Sequence, residues 1–306
     1  MKLSIVATLY KSSKYINEFN SRISHEVKKI TDDYELIFVD DGSPDDSLNK
    51  AVFLQEKDRK IKIIELSRNF GHHKAIMTGL SHAKGDFVFL IDSDLEEDPE
   101  LLGRFWKEMQ SNNNFDVVYG VQKERKGGWF ERNSGRIFYY IFNKLVDEIE
   151  YPIDTLTSRI MTKRYVDDVI KHKESEYDLW SIFGFTGYKS KGILCNKEYK
   201  GSTTYTFAKK IDMAINIIAS TSKKPLQLIF YFGSFISLTS FIYLVYLFIL
   251  SFTLNTPPGW SSLMVILVFI LGVLILSMGI LGIYISVIFQ ESKKRPVIIK
   301  EIHKSK

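Results

Sequence analysis

The chain has 306 residues, a formal net charge of +5, 45% hydrophobic residues and one cysteine, enough for one large domain or two smaller ones. A single cysteine excludes an intrachain disulfide and agrees with a reducing compartment. The positive balance by itself would suggest nucleic acid, but no nucleic-acid-binding motif is present and the basic residues gather beside apolar segments, so no nucleic-acid partner is expected.

In chain order, "LSIVATLY" (3–10), "ELIFVDD" (35–41), "IKIIELS" (61–67), "DFVFLID" (86–92) and "DVVYGV" (116–121) are short β-branched or aromatic runs that predict strands. Between the first two, Ile16, Phe19, Ile23, Val27 and Ile30 recur at helical spacing. A second helix is expected after "GSPDDS", which offers capping residues, and a fourth after Asp98, with Pro99 in its first turn. Strands alternating with helices of this length indicate βαβ units, an α/β fold and a mainly parallel sheet buried on both faces. Ligands of such sheets bind at the carboxyl ends of the strands. Asp40-Asp41-Gly42-Ser43 closes the second strand and Asp92-Ser93-Asp94 the fourth, so both acidic groups should open onto one edge.

Beyond about residue 122 the pattern changes. "KERKGGWFERNSGRIFYYIFNKLVDE" predicts a basic loop entering an aromatic-rich helix, "TKRYVDDVIKH" a further helix, and "GFTGYKSKGILCNKEYKGSTTY" strands or loops. In 209–224, Ile211, Ile215 and Ile218 share one face with lysines at both ends, which suits a helix in a membrane interface. No charged residue occurs in 226–250 or in 263–289, and each run exceeds the roughly 20 residues needed to cross a hydrocarbon core of about 30 Å. Two transmembrane helices are therefore expected. Lys209, Lys210, Lys223 and Lys224 flank one end, and Lys293, Lys294 and Arg295 the other, placing both flanks in the cytoplasm by the positive-inside rule. After Met1-Lys2 only a strand-length apolar stretch follows, so no signal peptide is expected. Gly272, Gly279, Gly282 and Ser286, with Gly233 and Ser237, form small-residue stripes that let the spans pack on each other or on a second copy. Neither span carries an ionisable residue, which points to anchoring and away from ion conduction. The predicted organisation is a cytosolic domain over 1–208, an interfacial helix over 209–224, a two-helix hairpin over 225–290 and a basic cytosolic tail over 291–306.

Carboxylates on alternate residues at a strand end, Asp92 and Asp94, can converge on one hard divalent cation, with Glu96 as a third oxygen ligand. A diphosphate would supply the remaining oxygens and needs its leaving charge neutralised. Glu97, Asp98 and Glu100 are expected to solvate the strand end and cap the next helix. Asp41 and Gly42 at a strand-to-helix turn can meet a base or ribose. His72 and His73 open a helix after "NFG", as diphosphate contacts or as a polar helix start. Neither a Cys cluster nor H-E-x-x-H is present, so a zinc site is unsupported.

In their order, "VATLY", "VDDGSPDDS", "LSRNFGHHKAIMTGLSHAKGD" and "LIDSDLEEDPE" resemble glycosyltransferase family 2, of GT-A type with a Rossmann-like sheet. With the two C-terminal spans, the chain is similar to the branch that makes polyprenyl-phosphate sugars, including dolichol-phosphate mannose synthase and bacterial undecaprenyl-phosphate glucosyltransferases. The resemblance implies inverting transfer of a hexose from a nucleotide sugar to undecaprenyl phosphate at the cytoplasmic face of the bacterial inner membrane, using Mg²⁺ or Mn²⁺. UDP-glucose is the expected donor; UDP-galactose, an N-acetylhexosamine donor or GDP-mannose are alternatives. The product would serve envelope glycans such as O-antigen, and a homo-oligomer is expected. By position, Thr8, Tyr10 and Asp41 match nucleoside contacts, and Asp92 and Asp94 the metal and diphosphate contacts, with Glu96 where the branch has glutamine. "YPIDTLTSRIM" resembles the branch's D-F-R-L segment and matches Asp154 to a catalytic-site aspartate and Arg159 to its arginine. Arg125, Arg132 and Arg136 are candidates to pair with the acceptor or departing phosphate. The strand end Thr8-Leu9-Tyr10-Lys11-Ser12 departs from the usual P-V-Y-N-E, and Leu95-Glu96-Glu97-Asp98-Pro99-Glu100 from L-Q-D-P-P-E. A processive polysaccharide synthase is disfavoured, since no Q-x-x-R-W element occurs. The non-enzyme alternative is an inactive membrane scaffold or flippase partner, against which the retained aspartate pair argues.

Overall fold

A computed structural model describes residues 2–111, 114–123, 155–172, 179–196, 215, 224–251, 259–293 and 295–303. The chain divides into two compact units, one of Met1–Tyr139, Tyr151–Thr203 and Lys294–Lys306, the other of Tyr140–Glu150 and Thr204–Lys293. The expected basic loop and aromatic helix after residue 123 lie outside the described residues, as does the expected interfacial helix apart from Ile215.

In the first unit, β1 (Leu3–Leu9), β2 (Tyr34–Asp40), β3 (Ile61–Leu66) and β4 (Phe87–Leu90) alternate with α1 (Ile16–Lys28), α2 (Ser47–Lys57) and α3 (His72–His82). Then come α4 (Leu101–Met109), β5 (Val117–Gln122), β6 (Thr155–Thr162), α5 (Lys163–Val169), α6 (Leu179–Phe185), β7 (Ser190–Cys195) and, after the second unit, β8 (Ile299–His303). The sheet order is β7-β5-β6-β4-β1-β2-β3-β8. β1 pairs in parallel with β2 and β4, β2 with β3, and β5 with β7. Two strands run against the rest: β6 lies antiparallel between β4 and β5, and β8 antiparallel beside β3.

The period of two in β1 explains the burial of both faces. Leu3, Ile5, Ala7 and Leu9 pack with Ile16, Phe19, Ile23 and Val27 of α1 and with Leu102 and Phe105 of α4. Val6 points the other way, with Ile37, Val39, Ile76 and Leu80. Each such fully buried aliphatic or aromatic side chain contributes roughly 1.5–3 kcal/mol relative to exposure. A Cβ at Gly79 would stand 2.4 Å from Val6 Cγ1 and 3.0 Å from Val39 Cγ2, so glycine there lets α3 lie directly on β1 and β2. At the amino-terminal edge, buried Glu35 accepts the Ser4 hydroxyl at 2.6 Å and the Lys84 N–H at 2.8 Å and pairs with Lys62, tying β1, β2 and the α3–β4 turn together.

Two strands were not foreseen. "TLTSRIMT" forms β6, and the tail expected as a basic segment contains β8. The β8 strand is held by its ladder with β3, by Ser67 N–H donating to Ile298 O at 3.0 Å and by the Gln55 amide donating to His303 O at 2.9 Å. Lys300 and His303 both pair with buried Glu65. Cys195 is free and buried.

The second unit contains α7 (Lys224–Ser251) and α8 (Trp260–Lys293). Among the described residues, Ile270–Phe289 is the one stretch found long and apolar enough to cross a membrane by length and composition. On α7, Leu228, Phe230, Tyr231, Phe232, Phe235, Leu238 and Ile242 are exposed. A Cβ built at Gly233, Gly272, Gly279 or Gly282 would meet nothing within 4 Å, so these four glycines face open space.

Candidate active site

The four parallel strands β1 to β4 send their carboxyl ends to one edge, and each following turn contains a residue in the left-handed region. These are Lys11 at φ 57°, Gly42 at 63°, Gly71 at 102° and Leu95 at 60°. Such backbone is costly for Lys11 and Leu95, and its clustering at one sheet edge is what a binding site built on strained turns requires. At Gly42 a side chain is excluded on a second ground: a Cβ would stand 2.5 Å from Asn69 N and 2.6 Å from Arg68 C. The loop after β3 therefore lies directly on the turn after β2.

Asp41 holds that loop in place. It is buried, and its two carboxylate oxygens accept the N–H of Phe70 at 2.7 Å and of Gly71 at 3.0 Å. Burial raises its pKa, the bonds from Phe70 and Gly71 lower it, and repulsion from Asp40 adds to the net rise. Asp40 is likewise raised, by burial first, and its Oδ1 has no hydrogen-bond partner among the described residues.

After β4 the chain alternates. Ile91, Ser93, Leu95 and Glu97 are buried, while Asp92, Asp94 and Glu96 are partly exposed. The alternation puts the three expected metal ligands on the open side and uses the residues between them as anchors. Ser93 Oγ donates to Thr8 O at 2.7 Å and lies 3.0 Å from Ser12 Oγ. Ser12 N–H in turn donates to Ser47 Oγ at 2.9 Å. Asp94 Oδ1 accepts the Glu96 N–H at 2.9 Å across the left-handed Leu95. Asp92 Oδ1 is buried without a hydrogen-bond partner among the described residues. A buried carboxylate oxygen lacking a donor is costly unless a cation or donor reaches it. Asp92, Asp94 and Glu96 share the partly exposed side of this turn and are the oxygen-donor type that suits a hard divalent cation, but among the described residues the three potential ligands drawn within 4.8 Å of one another are Glu65, Glu301 and His303.

Of the other expected site residues, Thr8 is buried at the end of β1, with Oγ1 3.3 Å from His72 Nδ1. Tyr10 is 47% exposed at the same edge, with Lys11 Nζ 5.5 Å from its ring centre. Arg159 is 3% exposed in β6, opposite Leu90 of β4. Its guanidinium donates to Thr157 O at 3.2 Å and Leu156 O at 3.1 Å and stacks 3.8 Å over Phe183. Burial pushes its pKa down to about 10, which leaves it protonated at neutral pH. Asp154, Arg125, Arg132 and Arg136 lie outside the described residues.

The remaining carboxylates divide. Asp98 and Glu100 both pair with Arg22 of α1 and so staple this corner, but the expected cap is not made: Glu100 stands at the N-cap of α4 without a side-chain cap hydrogen bond. Glu97 is not a solvating charge: it is buried and accepts the N–H of Thr157 at 3.0 Å and of Ser158 at 2.7 Å. It thereby ties the D-S-D turn to β6. Sequence reasoning also undervalued His72, whose Nε2 stands 3.5 Å from Asp92 Oδ1. The available signal was its place directly after the loop glycine of "NFG", at the start of the helix that follows β3.

Comparisons with known proteins agree with this edge. Residues 4–170 match the model of the family described as glycosyl transferase family 2. A glycosyltransferase of Mycobacterium tuberculosis (strain CDC 1551 / Oshkosh) is 45% identical over 307 aligned residues, covering 100% of this chain and 89% of the relative. The Bacillus subtilis (strain 168) glycosyltransferase YkcC is 34% identical, covering 98% of this chain and 93% of the relative. Among solved structures, a mycobacterial protein aligns with a TM-score of 0.50 at 17% identity, over 71% of this chain and 72% of that one, a likeness of fold. A family match over more than half the chain, joined by relatives that align end to end, leads to one conclusion: the chain belongs to glycosyl transferase family 2, with a mixed α/β sheet of GT-A type, and is a nucleotide-sugar glycosyltransferase.

Proposed function

We propose that the protein transfers a hexose, with inversion, from UDP-glucose to undecaprenyl phosphate at the cytoplasmic face of a bacterial inner membrane. The observation that carries this reading is the route of the chain. It leaves the catalytic unit for α7 and α8 and returns to that unit's sheet as β8. Both ends of the apolar segment therefore belong to one compartment, which fits two spans, α7 and α8, and any even number of crossings. The exposed apolar side chains of α7 and α8 suit lipid, and their open glycines suit a second copy of the chain. An active site anchored in this way meets an acceptor confined to the bilayer.

Asp92, Asp94 and Glu96 are the residues that would hold Mg²⁺ or Mn²⁺, which when bound neutralises the charge of the departing diphosphate. Thr8 and Tyr10 flank the nucleoside position, and Asp41 keeps the Arg68–His72 loop folded over the turn that receives it. The acceptor phosphate is a dianion at neutral pH, since phosphate esters lose their second proton near pH 6, and needs little help from a base. Asp154 accordingly orients the acceptor or a basic neighbour, and Arg125, Arg132 and Arg136 offset the repulsion between two anionic reactants, while Arg159, buried in β6 with its guanidinium bonded to backbone carbonyls, adds only a fixed positive charge.

The test is to incubate membranes carrying the full-length protein with undecaprenyl phosphate and each of UDP-glucose, UDP-galactose, UDP-N-acetylhexosamines and GDP-mannose, with and without chelator. Labelled sugar should enter an organic-extractable lipid from one donor, and only with divalent cation. Label appearing in water-soluble polymer, or donor consumption indifferent to the lipid, would overturn the acceptor assignment.

A further inference from the structure

The imidazole of His72 stands between two residues of the site. Its Nε2 lies 3.5 Å from Asp92 Oδ1, the buried oxygen without a hydrogen-bond partner, and its Nδ1 lies 3.3 Å from Thr8 Oγ1. A single tautomer could serve both neighbours, with Nδ1 accepting from the Thr8 hydroxyl and the proton on Nε2, which lies within ion-pair distance of Asp92 Oδ1 although no hydrogen bond to that oxygen is formed in this geometry. The backbone presenting the ring is held from two directions. Asp41 grips the N–H groups of Phe70 and Gly71 immediately before it, and Gly79 allows α3 to seat on β1, the strand that carries Thr8.

We propose that His72 is a positioning residue for Asp92, with Thr8 setting the plane of its ring. A carboxylate that ligates a metal works best when one oxygen is oriented by a hydrogen bond and the other is left for the ion. Asp92 has no hydrogen-bond partner at Oδ1 among the described residues. Its other neighbour in sequence, Ser93, is bonded to β1, so the backbone at this point is anchored while the side chain still needs a donor. His72 is 44% exposed at the side chain, against 23% for Asp92, which leaves the ring on the open side of the carboxylate. This inference rests on the metal-dependent donor site described above.

The experiment titrates Mn²⁺ into the purified full-length protein in detergent, without nucleotide, and reads free ion by electron paramagnetic resonance. His72→Ala should weaken Mn²⁺ binding about tenfold or more, as loss of an outer-sphere partner typically does. His72→Gln, whose amide N–H reaches toward the Nε2 position, should restore affinity to within about threefold. Thr8→Val should fall between them. In steady-state assays the KM for Mn²⁺ should rise in His72→Ala while the KM for lipid acceptor stays unchanged. Wild-type affinity in His72→Ala, a His72→Gln as weak as His72→Ala, or a rise confined to the donor KM would overturn the positioning role. The last outcome would make His72 a direct donor contact. A wild-type protein that binds no Mn²⁺, or an Asp92→Asn variant that binds it normally, would instead sink the metal site itself. If His72→Ala fails to fold, Thr8→Val decides, and its equality with wild type overturns the proposal.

Discussion

The backbone N–H of Ser67 donates to the carbonyl of Ile298 at 3.0 Å. This bond joins the residue just before the Arg68–His72 loop to the segment that follows α8, so the last stretch of the chain borders the donor-side loop. Ending the chain after Lys294 would strip β3 of its neighbour and leave Glu65 without Lys300 and His303. Amide exchange at Ile63, Ile64 and Glu65 should accelerate and the melting temperature should fall. Unchanged protection of β3 would show that the edge strand contributes nothing to the sheet.

Asp41→Asn tests the clasp on the loop. The side chain keeps its size, but one of its two acceptors becomes an amide donor facing a backbone N–H. The cost should be about 1–3 kcal/mol for the unsatisfied buried pair, read in urea unfolding. Donor affinity should fall with it, because the loop shares its footing with His72. A variant as stable as wild type would mean that the loop is held elsewhere.

Glu97→Gln tests the tie between the D-S-D turn and β6. Gln retains one acceptor where the carboxylate serves both Thr157 and Ser158, so a loss of about 1–3 kcal/mol is expected. The turnover number should drop more than the KM for donor, since the D-S-D turn and β6 would lose their common register. Equal activity at equal stability would show that this tie contributes nothing to the site or the fold.

Glu35 carries an acid-side prediction. Burial pushes its pKa up, but Lys62, the Ser4 hydroxyl and the Lys84 N–H outweigh that and hold it below the ordinary range. A folded-state pKa below the unfolded value means that the unfolded chain binds more protons in acid. The contribution is therefore complete above about pH 5 and is lost as pH falls through the folded value. Unfolding free energies of wild type and Glu35→Gln should be furthest apart at neutral pH and converge on acidification. A gap that stays constant with pH would contradict the assignment.

Asp94→Asn removes a proposed ligand while leaving the turn able to accept the Glu96 N–H. A metal site here predicts a loss of at least about a hundredfold in kcat/KM, corresponding to several kcal/mol of charge stabilisation. Excess Mn²⁺ should recover part of it. Chelated wild type and chelated variant should be equally inactive; residual activity that ignores chelation would exclude a metal role for this aspartate.

Much of the architecture was legible because it is local. Period-two runs such as "LSIVATL" and helical spacing such as Ile16, Phe19, Ile23 and Val27 encode burial within a few residues, and strand-helix alternation then directs Asp41, Asp92 and Asp94 to one edge. The two antiparallel strands were not legible for the opposite reason. β8, "IKEIH", is five residues of mixed charge, and becomes a strand through a partner more than two hundred residues earlier in the chain.

The same distinction separates the chemistry the chain declares from the geometry it conceals. Residue type and spacing by themselves determined that carboxylates would gather at a strand end and that long uncharged runs would follow the catalytic unit. Only the tertiary structure decided that Glu97 is a buried acceptor for β6, that Asp41 clasps the loop from Phe70 to Gly71, and that His72 confronts Asp92. Each of these depends on a donor or acceptor supplied by a distant segment. Burial changes the worth of such a group by several kcal/mol, and burial is a property of the fold, which short-range pattern does not contain.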